Sequence, residues 1–184
     1  MPPCGSPLLN EVDDPELASR AAQGDQVAFA RLVARHERRL RHFLGRLAGT
    51  GIGDELAQEC FLRAWQRAGD YRGRGSYAGW LYRIGWRLFL DSHRLAQRRA
   101  AHDALEAAGP DAEPHYPAAD AALDLERLLA RLDARSRAAL VLCDGHGWSH
   151  AEAAEMLGLP LGTLKSLVAR AKVALRAGLQ EGEP

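Results

Sequence analysis

Cysteine is scarce in this chain of 184 residues: Cys4, Cys60 and Cys143 are odd in number, far apart and form no CxxC pair. Neither a disulfide framework nor a zinc site is therefore expected. Cys60 and Cys143 fall at apolar positions of helical patterns, which reads as small core residues. Long apolar runs are missing too, and nothing approaches the roughly 20 residues of a membrane span. The N-terminus lacks the basic, apolar, small-residue order of a secretory signal. These absences predict a cytoplasmic protein without membrane insertion. The hydrophobic content of 47% and charged content of 26% are ordinary for one or two globular domains.

Net charge is absent as well, with 24 basic residues against 24 acidic. A zero balance would argue against a nucleic-acid partner if the charge were evenly spread, but it is not. Residues 25–100 carry 15 Arg against seven acids, whereas residues 101–120 carry five acids and no base. One segment is thus a candidate electrostatic footprint for a polyanion.

What is present is helical periodicity. Over 147–179 the sequence reads as two helices and a tight turn. Ser149 and Glu152 fit a capping box, Gly158 fits a left-handed helix stop, and Pro160 fits the opening of a second helix. Leu164, Val168, Ala171 and Leu175 then recur on one face. Two short helices joined in this way form a helix-turn-helix, whose second helix can enter a major groove. Lys165, Arg170, Lys172 and Arg176 supply phosphate contacts, with no acid between Thr163 and Arg176. A packed helical hairpin with a solvated basic face is the blander alternative.

Upstream, residues 1–13 read as a flexible leader. A helix is expected from Asp14 to Gln23, and a long one from Asp25 with Phe29, Leu32, Val33, Leu40, Phe43, Leu44 and Leu47 inward. Gly49, Gly51 and Gly53 are expected to break the chain, with Asp54 capping the next helix. Ser76 is expected to cap a helix running to about Arg99. Trp80, Leu81, Ile84, Leu88 and Leu95 would face inward, leaving Tyr77, Tyr82 and Trp86 outside among arginines. Aromatics interleaved with arginines suit an unpaired strand, although they could equally complete a core. Residues 101–120 read as a linker. Asp120 and Asp133 are expected to cap the helices that lead back to the helix-turn-helix. The fold class is therefore all-α: two small helical domains, 14–100 and 121–184, joined by a flexible linker.

These motifs resemble the extracytoplasmic-function group of bacterial sigma factors. DELAQECFLRAW at 54–65, YRGRGSYAGWLYRI at 71–84 with Asp91 after it, and GWSHAEAAEMLGLPLGTLKSLVARAKVALR from Gly147 carry the likeness. It covers almost everything from Asp25 to Leu179. The resemblance implies a subunit that binds core RNA polymerase and directs promoter-specific initiation, without enzymatic activity or a cofactor of its own. Asp54, Gln58, Glu59 and Leu62 inherit the docking role on the β′ clamp helices, and the β subunit is a further expected contact. Tyr77, Trp80, Arg83, Arg87 and Arg94 inherit the minus-ten element, with Trp80 also readable as structural. Thr163, Lys165, Ser166 and Arg170 inherit the minus-thirty-five element. An anti-sigma factor is an expected partner of the family. Trp86 and Arg87 stand where the family commonly has Arg-Asn, and Leu167 where it commonly has Arg, which puts promoter preference in question.

Two other classes fit parts of the sequence: a sigma-like decoy that binds a regulator without opening promoters, and a helix-turn-helix repressor acting without polymerase. Enzyme chemistry finds little support. His146 and His150 have metal-ligand spacing, but Gly147 and the Ser149 cap interrupt the helix that would align them.

Overall fold

A computed structural model describes residues 12–106 and 121–180. Its α-helices are α1 (Asp14–Ala22), α2 (Gln26–Ala48), α3 (Thr50–Gln66), α4 (Tyr77–Glu106), α5 (Ala121–Ala130), α6 (Ala134–Leu140), α7 (His150–Leu157) and α8 (Leu161–Gln180). No strand occurs among the described residues. The starts follow local chemistry. Asp13, Asp25, Ser76 and Asp133 each accept a backbone N–H of the first turn that would otherwise have no partner. The leader up to Glu11, the stretch 107–120 and the expected cap Asp120 lie outside the described residues.

Three elements depart from the expected pattern. Helix α3 begins at Thr50, so Gly51 and Gly53 lie within it and Asp54 is not its cap. The reason is tertiary: a Cβ on Gly53 would stand 2.5 Å from the Gly45 backbone of α2. The two helices cross backbone to backbone, and that contact offsets the roughly 1 kcal/mol that glycine costs inside a helix. Helix α4 continues to Glu106, past the expected end near Arg99. After α6 the chain widens into a π turn, Val141–Gly145, where one continuous helix was expected.

The first half packs α1 to α4 around Leu17, Leu32, Leu40, Phe43, Leu44 and Leu81, all fully buried. Cys60 belongs to this core; its thiol donates to the Leu81 carbonyl, and burial pushes its pKa up to about 12, which leaves it unreactive. Cys143 is only half-buried. The second half packs α6, α7 and α8 around Leu142, Ala138, Ala153, Leu164 and Val168.

The halves also touch one another. Arg137 of α6 donates to Leu47 O at the end of α2 (2.6 Å), and Arg39 of α2 donates to His146 O (2.9 Å). Tyr82 of α4 lies against Trp148 with ring centroids 5.0 Å apart.

Candidate nucleic-acid interface

The helix-turn-helix is built as its sequence implies. Ser149 Oγ accepts the Glu152 N–H at 3.2 Å, and the Glu152 carboxylate accepts the Ser149 N–H at 2.9 Å. These bonds hold the Glu152 carboxyl below its ordinary range. Gly158 closes α7 with φ +68°, a conformation costly for any residue with a Cβ. Leu164, Leu167, Val168 and Ala171 then anchor α8 in the core. Burying each of the larger three contributes on the order of 1.5–3 kcal/mol. Thr163, Lys165, Ser166 and Arg170 all remain exposed toward the start of α8. Ser166 Oγ bonds back to Gly162 O at 3.0 Å. Leu167, the departure from the family pattern, faces the core and not the solvent.

Along α4 the expected faces are partly reversed. Tyr77, Tyr82 and Trp86, expected outside, are 3%, 2% and 4% exposed, while Leu95, expected inside, is 48% exposed. The cause is that α4 is covered on two sides, by α2 and α3 on one and by α7 on another. Tyr77 packs among His36, Tyr71 and Trp80, and burial raises its phenol pKa well above the ordinary tyrosine value. Trp80 is half-buried. Arg83 is partly exposed and reaches Glu155 of α7, donating to its carbonyl at 3.3 Å and its carboxylate at 3.4 Å. Arg87 is exposed, and Arg94 is exposed with its guanidinium 3.6 Å from Asp91.

The residues expected to meet polymerase share one surface of α3. Gln58 and Leu62 are exposed and line an open groove of about 590 Å³ with Phe29, Val33, Phe61 and Trp65. Asp54 pairs with Arg41 at 3.0 Å and Glu59 with Arg63 at 2.7 Å.

Sequence reasoning missed the histidine pair between the halves. His42 Nδ1 lies 3.2 Å from His146 Nε2, and His146 is buried. The residues are 104 apart, so no spacing signal links them. His150 is exposed on α7, away from this contact.

An all-helical chain with an exposed, basic recognition helix in a helix-turn-helix and an arginine-bearing helix beside it defines a DNA-binding transcription protein. Residues 32–99 match the model of Sigma-70 region 2, and residues 122–175 match that of Sigma-70, region 4. The chain is 37% identical to RNA polymerase sigma factor NccH of Alcaligenes xylosoxydans xylosoxydans, covering 92% of this chain and 96% of that one. It is also 37% identical to ECF RNA polymerase sigma factor SigM of Mycobacterium tuberculosis, covering 90% and 84%. Among solved structures it resembles CnrH in complex with the cytosolic domain of CnrY (TM-score 0.70, 28% identity, 92% and 99% covered). It also resembles the sigma factor RpoE in complex with the anti-sigma factor NepR from Bartonella quintana (TM-score 0.69, 25% identity, 84% and 98% covered).

The chain belongs to the extracytoplasmic-function RNA polymerase sigma factors. It is an alternative sigma factor that directs transcription. No helix among the described residues is long and apolar enough to cross a membrane.

Proposed function

We propose that the protein grips a promoter at two points, with α4 at the minus-ten element and α8 at the minus-thirty-five element, while α3 holds core RNA polymerase. The observation that carries this reading is the sorting of α8: Thr163, Lys165, Ser166 and Arg170 are exposed, whereas Leu164, Leu167 and Val168 between them are buried. Lys165 and Arg170 neutralise phosphates and fix the helix in the groove, while Thr163 and Ser166 reach base edges near its first turns.

At the minus-ten element an extruded base needs a pocket and a stacking surface rather than a reactive group. Half-buried Trp80 offers the surface, and Arg83, Arg87 and Arg94 follow the phosphates. Tyr77 supports Trp80 from beneath through ring contact at 5.5 Å. The chain therefore contributes binding and strand separation in the cytoplasm, and polymerase contributes the chemistry. On α3, Gln58 and Leu62 dock the β′ clamp helices, with Asp54 and Glu59 as flanking charges; the β subunit is a further contact. The domains are assigned from Asp14 to the end of α4 and from Ala121 onward, joined by the intervening residues. The complex of RpoE with NepR supports an anti-sigma factor as a further partner.

Run-off transcription with purified core polymerase tests the reading. Lys165→Ala with Arg170→Ala should reduce promoter-dependent product at least tenfold while leaving core binding unchanged. Equal loss of both would sink it, as would tight promoter binding by the chain without polymerase.

A further inference from the structure

The contact between the halves has a centre with its own chemistry. Arg46 Nε donates to His42 Nε2 at 3.4 Å, which puts the His42 proton on Nδ1. His42 Nδ1–H then donates to His146 Nε2 at 3.2 Å, so His146 must present a lone pair there. The relay from Arg46 through His42 to His146 needs both imidazoles neutral; a protonated His146 could donate to His42 only if His42 moved its proton to Nε2, against the Arg46 N–H. A proton on His146 Nε2 would set N–H against N–H.

The surroundings make that proton costly. Arg39, which holds the His146 carbonyl, and Arg46 approach from α2. The neutral phenol of Tyr82 approaches from α4, with ring centroids 5.9 Å from His146. Lys172 and Arg176 of α8 share with His42 a cleft of about 520 Å³. Two acids face the site. Asp144 is 3.0 Å from Lys172 and Glu126 is 4.0 Å from Arg46, so each already has a cation. Burial and then Arg46 hold His42 below its ordinary pKa, and burial, then His42 and Arg39, hold His146 at about 4.

The same seam occupies promoter-facing chemistry. Arg83 is held by Glu155, and Trp86 and Arg83 line a cleft with Met156, Leu157 and Gly158 of the helix-turn-helix. A compact chain of this length has a radius of gyration of about 16 Å and hence a diameter of about 40 Å. Two promoter elements about 25 base pairs apart lie about 85 Å apart along the duplex. The halves must part before both elements are held.

We propose that the His42–His146 contact is a proton-sensitive pin in an autoinhibitory seam that keeps α4 pressed against α7, so that acidification releases the two halves. This rests on the two-point promoter reading for its consequence, but the opening itself does not. In the parted form His146 returns to its ordinary pKa near 6.5, whereas in the closed form it stays near 4. Above 6.5 neither form is charged and the seam is at full strength; as pH falls from 6.5 toward 4, protons bind the parted form and favour it. At pH 5.5 His146 alone shifts the opening equilibrium about tenfold relative to pH 7.5.

Single-molecule energy transfer tests this on the full chain, with dyes on azido residues replacing exposed Gln66 and Gln180. The ratio of parted to closed molecules should rise about tenfold between pH 7.5 and 5.5, with helical circular dichroism unchanged. His146→Gln keeps an acceptor for His42 and cannot titrate there, so its ratio should change less than threefold. In the unmodified chain, proton NMR of the His146 ring should show protonation in step with parting. An unchanged ratio in the natural chain overturns the proposal, as does an equal rise in His146→Gln or loss of helicity at pH 5.5. Run-off transcription at pH 7.5 tests the promoter reading separately, since its failure leaves the energy-transfer result standing.

Discussion

A glycine sets how closely the first two long helices approach. Gly53 faces Gly45 so tightly that one added methyl would enter the α2 backbone, which cannot rotate away as a side chain can. Gly53→Ala is expected to destabilise the protein by about 3 kcal/mol through overpacking, despite alanine's better helix propensity. Urea unfolding would measure it, and a neutral or stabilising result would mean that the crossing relaxes freely. The glycines were legible as signals of special backbone but not of which kind, because a chain break and a close crossing leave the same residues in the sequence. The aromatics of α4 show a similar ambiguity. Tyr77, Tyr82 and Trp86 read as outward-facing only while one partner surface is counted; His36 and Tyr71 cover Tyr77, His146 and Trp148 cover Tyr82, and α7 lies beside Trp86.

Elements whose causes are local were legible nearly to the residue. The Ser76 cap, the Asp133 cap and the Ser149–Glu152 box each join groups within three residues, and each forms the expected bond. Ser149→Ala removes the acceptor for Glu152 N–H and the hydroxyl that Glu152 binds at 2.6 Å. It should cost about 1 kcal/mol. Because the bonds to its carboxylate depress the Glu152 pKa, their part of the contribution is present above the ordinary value of 4.5 and is lost as pH falls through the depressed one. Thermal melts of the natural chain and Ser149→Ala should therefore differ more at pH 7 than at pH 3, where the untitratable cap bond to Glu152 N–H is what remains. A difference that does not shrink in acid would place the titrating part elsewhere. The π turn after α6 was not legible, since Val141–Gly145 carries the same apolar pattern as a regular helix.

At the scale of the whole molecule, the partition into two helical halves was legible from charge and periodicity, but their contact was not. Every bond across it joins residues tens of positions apart, and no pattern within either half requires the other. Arg137 makes the strongest structural claim here, because its guanidinium donates to Leu47 O in one half and to Ala130 O and Leu132 O in the other. Charge-assisted bonds contribute about 1.5–3 kcal/mol each when buried, and this side chain is only half-buried, so Arg137→Ala should cost about 2–4 kcal/mol in all. The loss should also change the form of unfolding. With Leu47 O released, the halves lose a shared bond, and a single urea transition should separate into two. Trp65, Trp80 and Trp86 report the first half by fluorescence, and Trp148 reports the second. Single-tryptophan variants in the Arg137→Ala background should therefore show midpoints at least 0.5 M apart, on the order of 1 kcal/mol at a typical urea slope of about 2 kcal/mol per molar. Coincident midpoints would mean that the halves stay coupled through the histidine pair and the α4–α7 contact without Arg137.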